Sequence, residues 1–253
     1  MRSRSYKHYI RKAHRYLGVF IGVQFLAWTV GGIYFSWTNI EEVRSEHLRS
    51  KPHSVELSSE MFVKRFSPSD HLPDGATADL SKLRFVSVLG EAHFSLPYIA
   101  ANGEEKVILI RLQDGASRPP ATEENAKEIA SRALTAALPI TKVSLIEPGQ
   151  ISGHHEYREK PLPAYAISFS GSENLTVYVS KADWQVQAVR SDTWRTFDLL
   201  WMLHTMDFAG RDDFNNYLIR TVSVLGILTL LSGFALFVVS SKNTRRLLKA
   251  LGW

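Results

Sequence analysis

The chain has 253 residues, 45% of them hydrophobic, and a mean hydropathy of −0.11, an average that excludes a polytopic helix bundle and leaves room for one large domain or two small ones. The net charge of +5 comes from Lys and Arg gathered at the two chain ends and not from one stripe with interleaved aromatics, which sets nucleic-acid binding aside. With no cysteine, disulfides, thiolate zinc sites, iron–sulfur ligation and cysteine nucleophiles are excluded, so any metal or cofactor falls to His, carboxylate or Met.

Residues 1–15 carry Arg2, Arg4, Lys7, Arg11, Lys12 and Arg15 and read as a basic cytoplasmic N-terminus. From Tyr16 to Trp37 there is no Asp, Glu, Lys or Arg. About 20 apolar residues, rising about 1.5 Å each, cross a hydrocarbon core of roughly 30 Å, so residues 16–37 are predicted to form a transmembrane helix. A cleaved signal peptide is a poor reading, because the run is too long and no small-x-small site follows in Trp37-Thr38-Asn39-Ile40-Glu41-Glu42. Glu41 to Ser50 reads as a short continuation of the helix, broken at Lys51-Pro52.

Two segments then repeat one order, helix before strands. In residues 38–118 a capped helix is predicted over Ser58 to Phe66, with strands at Lys82 to Leu89, His93 to Ala100 and Glu105 to Leu112. In residues 119–191 Thr122 is the N-cap of a helix whose apolar stripe is Ala126, Ile129, Ala130, Ala133 and Leu134. Strands follow at Lys142 to Glu147, Ala164 to Ser170 and Thr176 to Val179, the last ending at Lys181-Ala182-Asp183. Each copy is an α+β unit that packs a helix on one face of an antiparallel sheet.

Residues 192–216 form the connector to the second span. Asp192 to Phe208 places Trp194, Phe197, Trp201 and His204 on one helical face, the pattern of an amphipathic helix at headgroup depth. Residues 217–239 make the second span, with the single charge Arg220 near its start, and residues 240–253 end in Lys242, Arg245, Arg246 and Lys249. Basic residues at both ends place both termini in the cytoplasm and the long middle outside, in the periplasm if the cell has an inner membrane. The expected fold class is a two-helix membrane hairpin carrying an extracytoplasmic α+β region.

The alanine-rich helix after Thr122, the Leu162-Pro163-Ala164-Tyr165 turn and the Val177-Tyr178-Val179 strand resemble a PepSY domain. The spans look like the PepSY-associated membrane helix family, through His14-Arg15-Tyr16-Leu17-Gly18, Leu203-His204-Thr205-Met206 and Leu231-Ser232-Gly233-Phe234-Ala235-Leu236. The resemblance covers most of the chain and implies one of two functions. Larger relatives with more spans resemble inner-membrane reductases for ferric siderophores, with b-type haems on span histidines. Other PepSY proteins are linked to inhibition or regulation of secreted peptidases. The first implies a haem-bearing reductase of iron uptake or a subunit of one; the second implies a non-catalytic accessory protein whose lobes bind a secreted or membrane partner. No flavin or nicotinamide fingerprint and no hydrolase motif is present.

His14 and His204 are the membrane-proximal histidines, and ionisable residues at such depth are functional candidates. They stand at opposite membrane edges, so one haem cannot take both. A symmetric homodimer would pair like with like. Gly18 and Gly22 beside His14, and Gly226 and Gly233 on the second span, give small faces for close helix packing. His154-His155-Glu156 reads as a solvated loop, and no metal is assigned to it.

Overall fold

The computed structural model describes residues 6–51 and 67–241; the helix expected at 58–66 and the basic C-terminal residues lie outside them. Residues 1–39 and 196–253 form one compact unit, and residues 40–195 another.

The first unit is helical. α1 runs from Tyr6 to Trp37, starting well before Tyr16 because the basic stretch contains no Gly or Pro and keeps good helix formers. Its inward positions recur at heptad spacing: His14, Ile21, Trp28 and Phe35, with Leu17, Gln24 and Gly31 between them. The outward positions are large and apolar, among them Val19, Phe20, Val23, Leu26 and Val30.

The sheet unit begins with α2, Ile40–Val43. The expected continuation of the first span does not form. The helix stops at Trp37, and Ser45 turns the chain with φ of 56°, so that Arg49 bridges Leu134 and Ser50 N donates to Ala133 O at 2.8 Å. The first sheet contains β1 (Thr77–Ala78), β2 (Arg84–Val88), β3 (Glu91–Ile99), β4 (Glu105–Arg111) and β5 (Ser117–Arg118). β3 is central, pairing antiparallel with β1, β2 and β4. Leu89 and Gly90, with φ of 52° and 90°, make the two-residue turn between β2 and β3, the left-handed pair that suits strand twist.

α3 follows at Glu123–Arg132. Thr122 Oγ1 accepts from Asn125 N while Asn125 Oδ1 accepts from Thr122 N at 3.0 Å, a reciprocal cap. The second sheet runs β6 (Ile140–Ile146), β7 (Ala164–Phe169), β8 (Thr176–Ser180) and β9 (Val186–Arg190), in that spatial order. Its side chains alternate between two faces, interrupted by register shifts at Ile140/Lys142 and Tyr178/Val179. Tyr165, Ile167, Phe169, Val177, Val179 and Val189 join α3 and residues of the first sheet in one core. Ala164, Ala166, Tyr178 and Ala188 face Tyr157 on the other side. β9 is a strand beyond those predicted: Trp184 adopts φ of 58° and returns the chain after Asp183.

The loop from Gly153 to Pro161 is not a solvated excursion. Tyr157 is fully buried, stacks on Tyr178 with centroids 4.7 Å apart and donates its hydroxyl to Pro161 O. Glu156 accepts from Tyr178 Oη at 2.6 Å and from Arg195 Nε at 2.7 Å.

α4, Asp192–Thr205, ends short of Phe208 because Met206 turns left-handed with φ of 55° and Asp207 takes backbone N–H groups from Ala209, Gly210 and Asp213. The Gly210 N–H, then that of Asp213, hold the Asp207 carboxyl below its ordinary range. α5, Tyr217–Ser240, is capped by Asn216 and packs on α1 through Ile21, Val222 and Met206. α1 and α5 are both long and apolar enough to cross a membrane.

Candidate functional site

His14 lies in the α1–α5 seam, with Nδ1 2.8 Å from Ser232 Oγ. The Ser232 hydroxyl is also placed to donate to Thr229 O, an arrangement in which its oxygen is free to accept from His14 Nδ1. Gly233 makes the room: a Cβ there would stand 3.2 Å from His14 Cε1. Gly226 likewise admits Phe25, 3.3 Å from a Cβ at that position. Gly18 and Gly22 meet nothing within 4 Å, so within one chain they are open positions.

His204 is on α4, among the rings of Trp28, Phe35 and Trp201, with centroids 6.2, 5.9 and 6.2 Å away. Its Nδ1 is buried and has no hydrogen-bond partner. Neither Thr205 nor Asp207, its near neighbours in sequence, orients it. Thr205 Oγ1 donates to Arg211 O at 3.1 Å, and Asp207 is committed to backbone. The last carbonyls of α4 are capped instead from other segments: Gln24 Nε2 donates to Leu203 O, Trp28 Nε1 to His204 O and Asn216 Nδ2 to Thr205 O, at 2.9, 2.9 and 3.0 Å. Carbonyls at a helix end have no partner in their own helix, and without water they must find one elsewhere. Buried Asp198 pairs with partly buried Arg211.

An axial haem ligand presents one ring nitrogen to iron while an acceptor fixes the other. His14 has that arrangement of its Nδ1, whereas His204 lacks the acceptor, and the two rings sit at different levels of α1. The pair does not fit one haem within a single chain. Among the described residues no group of three or more His, Asp or Glu could hold a metal ion.

The sheet unit contains a cavity of about 490 Å³. Arg49 and Lys51 reach it from the stretch after α2, Val88 and Leu89 from the β2–β3 hairpin, Arg132 from the end of α3, and Trp184 from the β8–β9 turn. Trp184 is held rigidly, its Nε1 donating to Pro119 O at 3.0 Å and Arg118 lying 4.3 Å over its ring. Sequence reading missed these residues, because they converge from four separate segments. The one available signal was a tryptophan inside a polar turn, Asp183-Trp184-Gln185.

His93 is fully buried in the first sheet, between Glu91 O at 3.1 Å from Nδ1 and Arg118 at 3.0 Å from Nε2. Burial, reinforced by Arg118 and Arg111, pushes its pKa below the ordinary 6.5. Burial pushes Glu156 up, but its bonds from Arg195 and Tyr178 outweigh that and hold it below the ordinary 4.5.

No protein family, curated protein or solved structure matches this chain.

Proposed function

We propose that the chain is a membrane-anchored accessory protein. In this reading α1 and α5 cross the cytoplasmic membrane with both termini inside, the PepSY-like lobes lie outside, and the cavity of the sheet unit engages a secreted or membrane partner. The observation that carries it is that cavity: its volume falls within the roughly 300–1,000 Å³ of ordinary ligand sites, and it joins an apolar floor to a basic rim. The lipid-like exterior of the helix pair supports the anchor, since exposed Leu, Val and Phe cover it on most sides.

The test is site-specific photocrosslinking in cells. A photoreactive residue at Leu89, in the cavity wall, should yield a discrete adduct that disappears in the Arg49→Glu, Lys51→Glu background. The same residue at Phe85, on the neighbouring strand and half exposed, should yield none. Absence of any adduct from Leu89 defeats the reading.

A second reading, a haem-bearing subunit of iron uptake, is favoured by the Ser232 contact of His14 Nδ1, which leaves Nε2 for ligation. A second copy of the chain would supply the other ligand, and the bound iron would supply one-electron chemistry. A Soret band that shifts on dithionite reduction and vanishes in His14→Ala supports it; a wild-type preparation from haem-fed cells with no such band rules it out.

A further inference from the structure

We infer that the cavity selects an acidic, extended peptide segment of the partner, an assignment that rests on the accessory reading above. Three cations line the cavity, Arg49, Lys51 and Arg132, and no carboxylate is among the described lining residues. Arg132 is committed to Glu128 at 2.6 Å. Among the described residues Arg49 and Lys51 have no ion-pair partner, so two cations stand at the rim without a described carboxylate beside them. A carboxylate reaching them forms charge-assisted hydrogen bonds, the strongest kind available at a partly solvated site.

The floor sets the second requirement. Val88, Ile129, Trp184 and Val186 form an apolar surface, which a compact anion such as phosphate would leave uncovered. An apolar side chain next to the acid fills it.

The third requirement comes from the backbone. Among the described residues β2 pairs with β3 alone and β9 with β8 alone, so both strands that border the cavity are the last of their sheets. Gln185 Nε2 donates to Ser87 O at 3.4 Å and ties the two edges together. Exposed edges are templates for strand addition. A peptide laid along one of them pairs its backbone, sends alternate apolar side chains to the floor and keeps an acidic one at the rim.

The experiment uses the full chain in nanodiscs and a fluorescein-labelled hexapeptide of alternating leucine and glutamate, with a leucine–glutamine hexapeptide as control. The glutamate peptide should bind at least about tenfold tighter by anisotropy, and Arg49→Gln with Lys51→Gln should erase that difference while the thermal melt stays unchanged. Equal affinity for the two peptides overturns the acidic selection; if crosslinking from Leu89 persists, the accessory reading survives, and if it fails as well, both fall. Laurate binding in the cavity with no binding of either peptide overturns the peptide assignment in favour of a small amphiphile.

Discussion

In the helical unit Val23, Leu26, Leu228 and Phe234 stand exposed, while His14, Gln24, Thr229 and Ser232 turn into the seam or toward it. In the sheet unit the order is reversed: Ile167, Val177 and Val179 are fully buried, and exposed positions carry charges such as Glu104, Glu105 and Lys106. The same chain thus follows two burial rules. In water, apolar area is the quantity to hide. Against lipid tails apolar area is neutral, and polar groups are what must be enclosed and satisfied. The burial pattern of the helix pair is the one the second rule calls for, down to its hydroxyls, with Thr29, Thr221 and Thr229 each donating to the carbonyl four residues earlier.

The sharpest way to break this contrast is to put a charge on each exterior. Leu228 lies midway along α5 and is half exposed. Leu228→Arg should oppose insertion by about 2.5–3.5 kcal/mol, read as loss of signal from a cytoplasmic-type reporter fused after Trp253. Phe85→Arg, on the sheet exterior, should leave the same signal intact. Equal behaviour of the two variants would remove the distinction between the units.

A smaller effect separates the glycines. Gly233→Leu drives a side chain into His14 and should cost about 1–3 kcal/mol as overpacking, measured as a lower melting temperature in detergent. Gly18→Leu meets open space, so in a lone chain it should be nearly neutral. Should Gly18→Leu also lower a crosslinked dimer fraction, the open glycine face is a contact between copies.

The smallest effect is confined to the sheet unit and depends on pH. Burial lowers the His93 pKa in the fold, so as the pH drops below about 6.5 the unfolded chain takes up a proton more readily than the folded chain, and stability falls until the folded ring protonates as well. Glu156 adds a second loss. Its depressed pKa contributes stability above 4.5 that disappears as the pH falls through the folded value. Melts from pH 7 to 3 should show both steps, with His93→Gln removing only the upper one. Loss of helical signal beyond the share of α2 and α3, in step with either, would mean that the titrating groups control both units.

Most of the architecture was legible because it follows periodicity. The two long apolar helices, the Thr122 cap and the core strands all announce themselves by composition and spacing. What was not legible depends on distant partners. β9 was missed because its value as a strand lies in pairing with β8 across a tryptophan turn, and a five-residue run shows little by itself. The Glu156 loop read as solvent-exposed because Arg195 and Tyr178, which bury it, are far along the chain. The histidines were visible as candidates, but their partners were not: the hydroxyl that fixes His14 comes from Ser232, 218 positions away, and His204 receives no such help from its own neighbours.

The caps on α4 also have a meaning in time. Gln24 and Leu203 are 179 residues apart. On a ribosome adding about 5–20 residues per second, the glutamine emerges roughly 9–36 s before the carbonyl it will serve. Through that interval the first helix carries an uncommitted amide, which makes early α1 sticky toward any passing carbonyl, including one on a neighbouring nascent chain. The amide that later seals the end of α4 is therefore, during synthesis, a donor that α1 carries ahead of its partner, as is the indole N–H of Trp28.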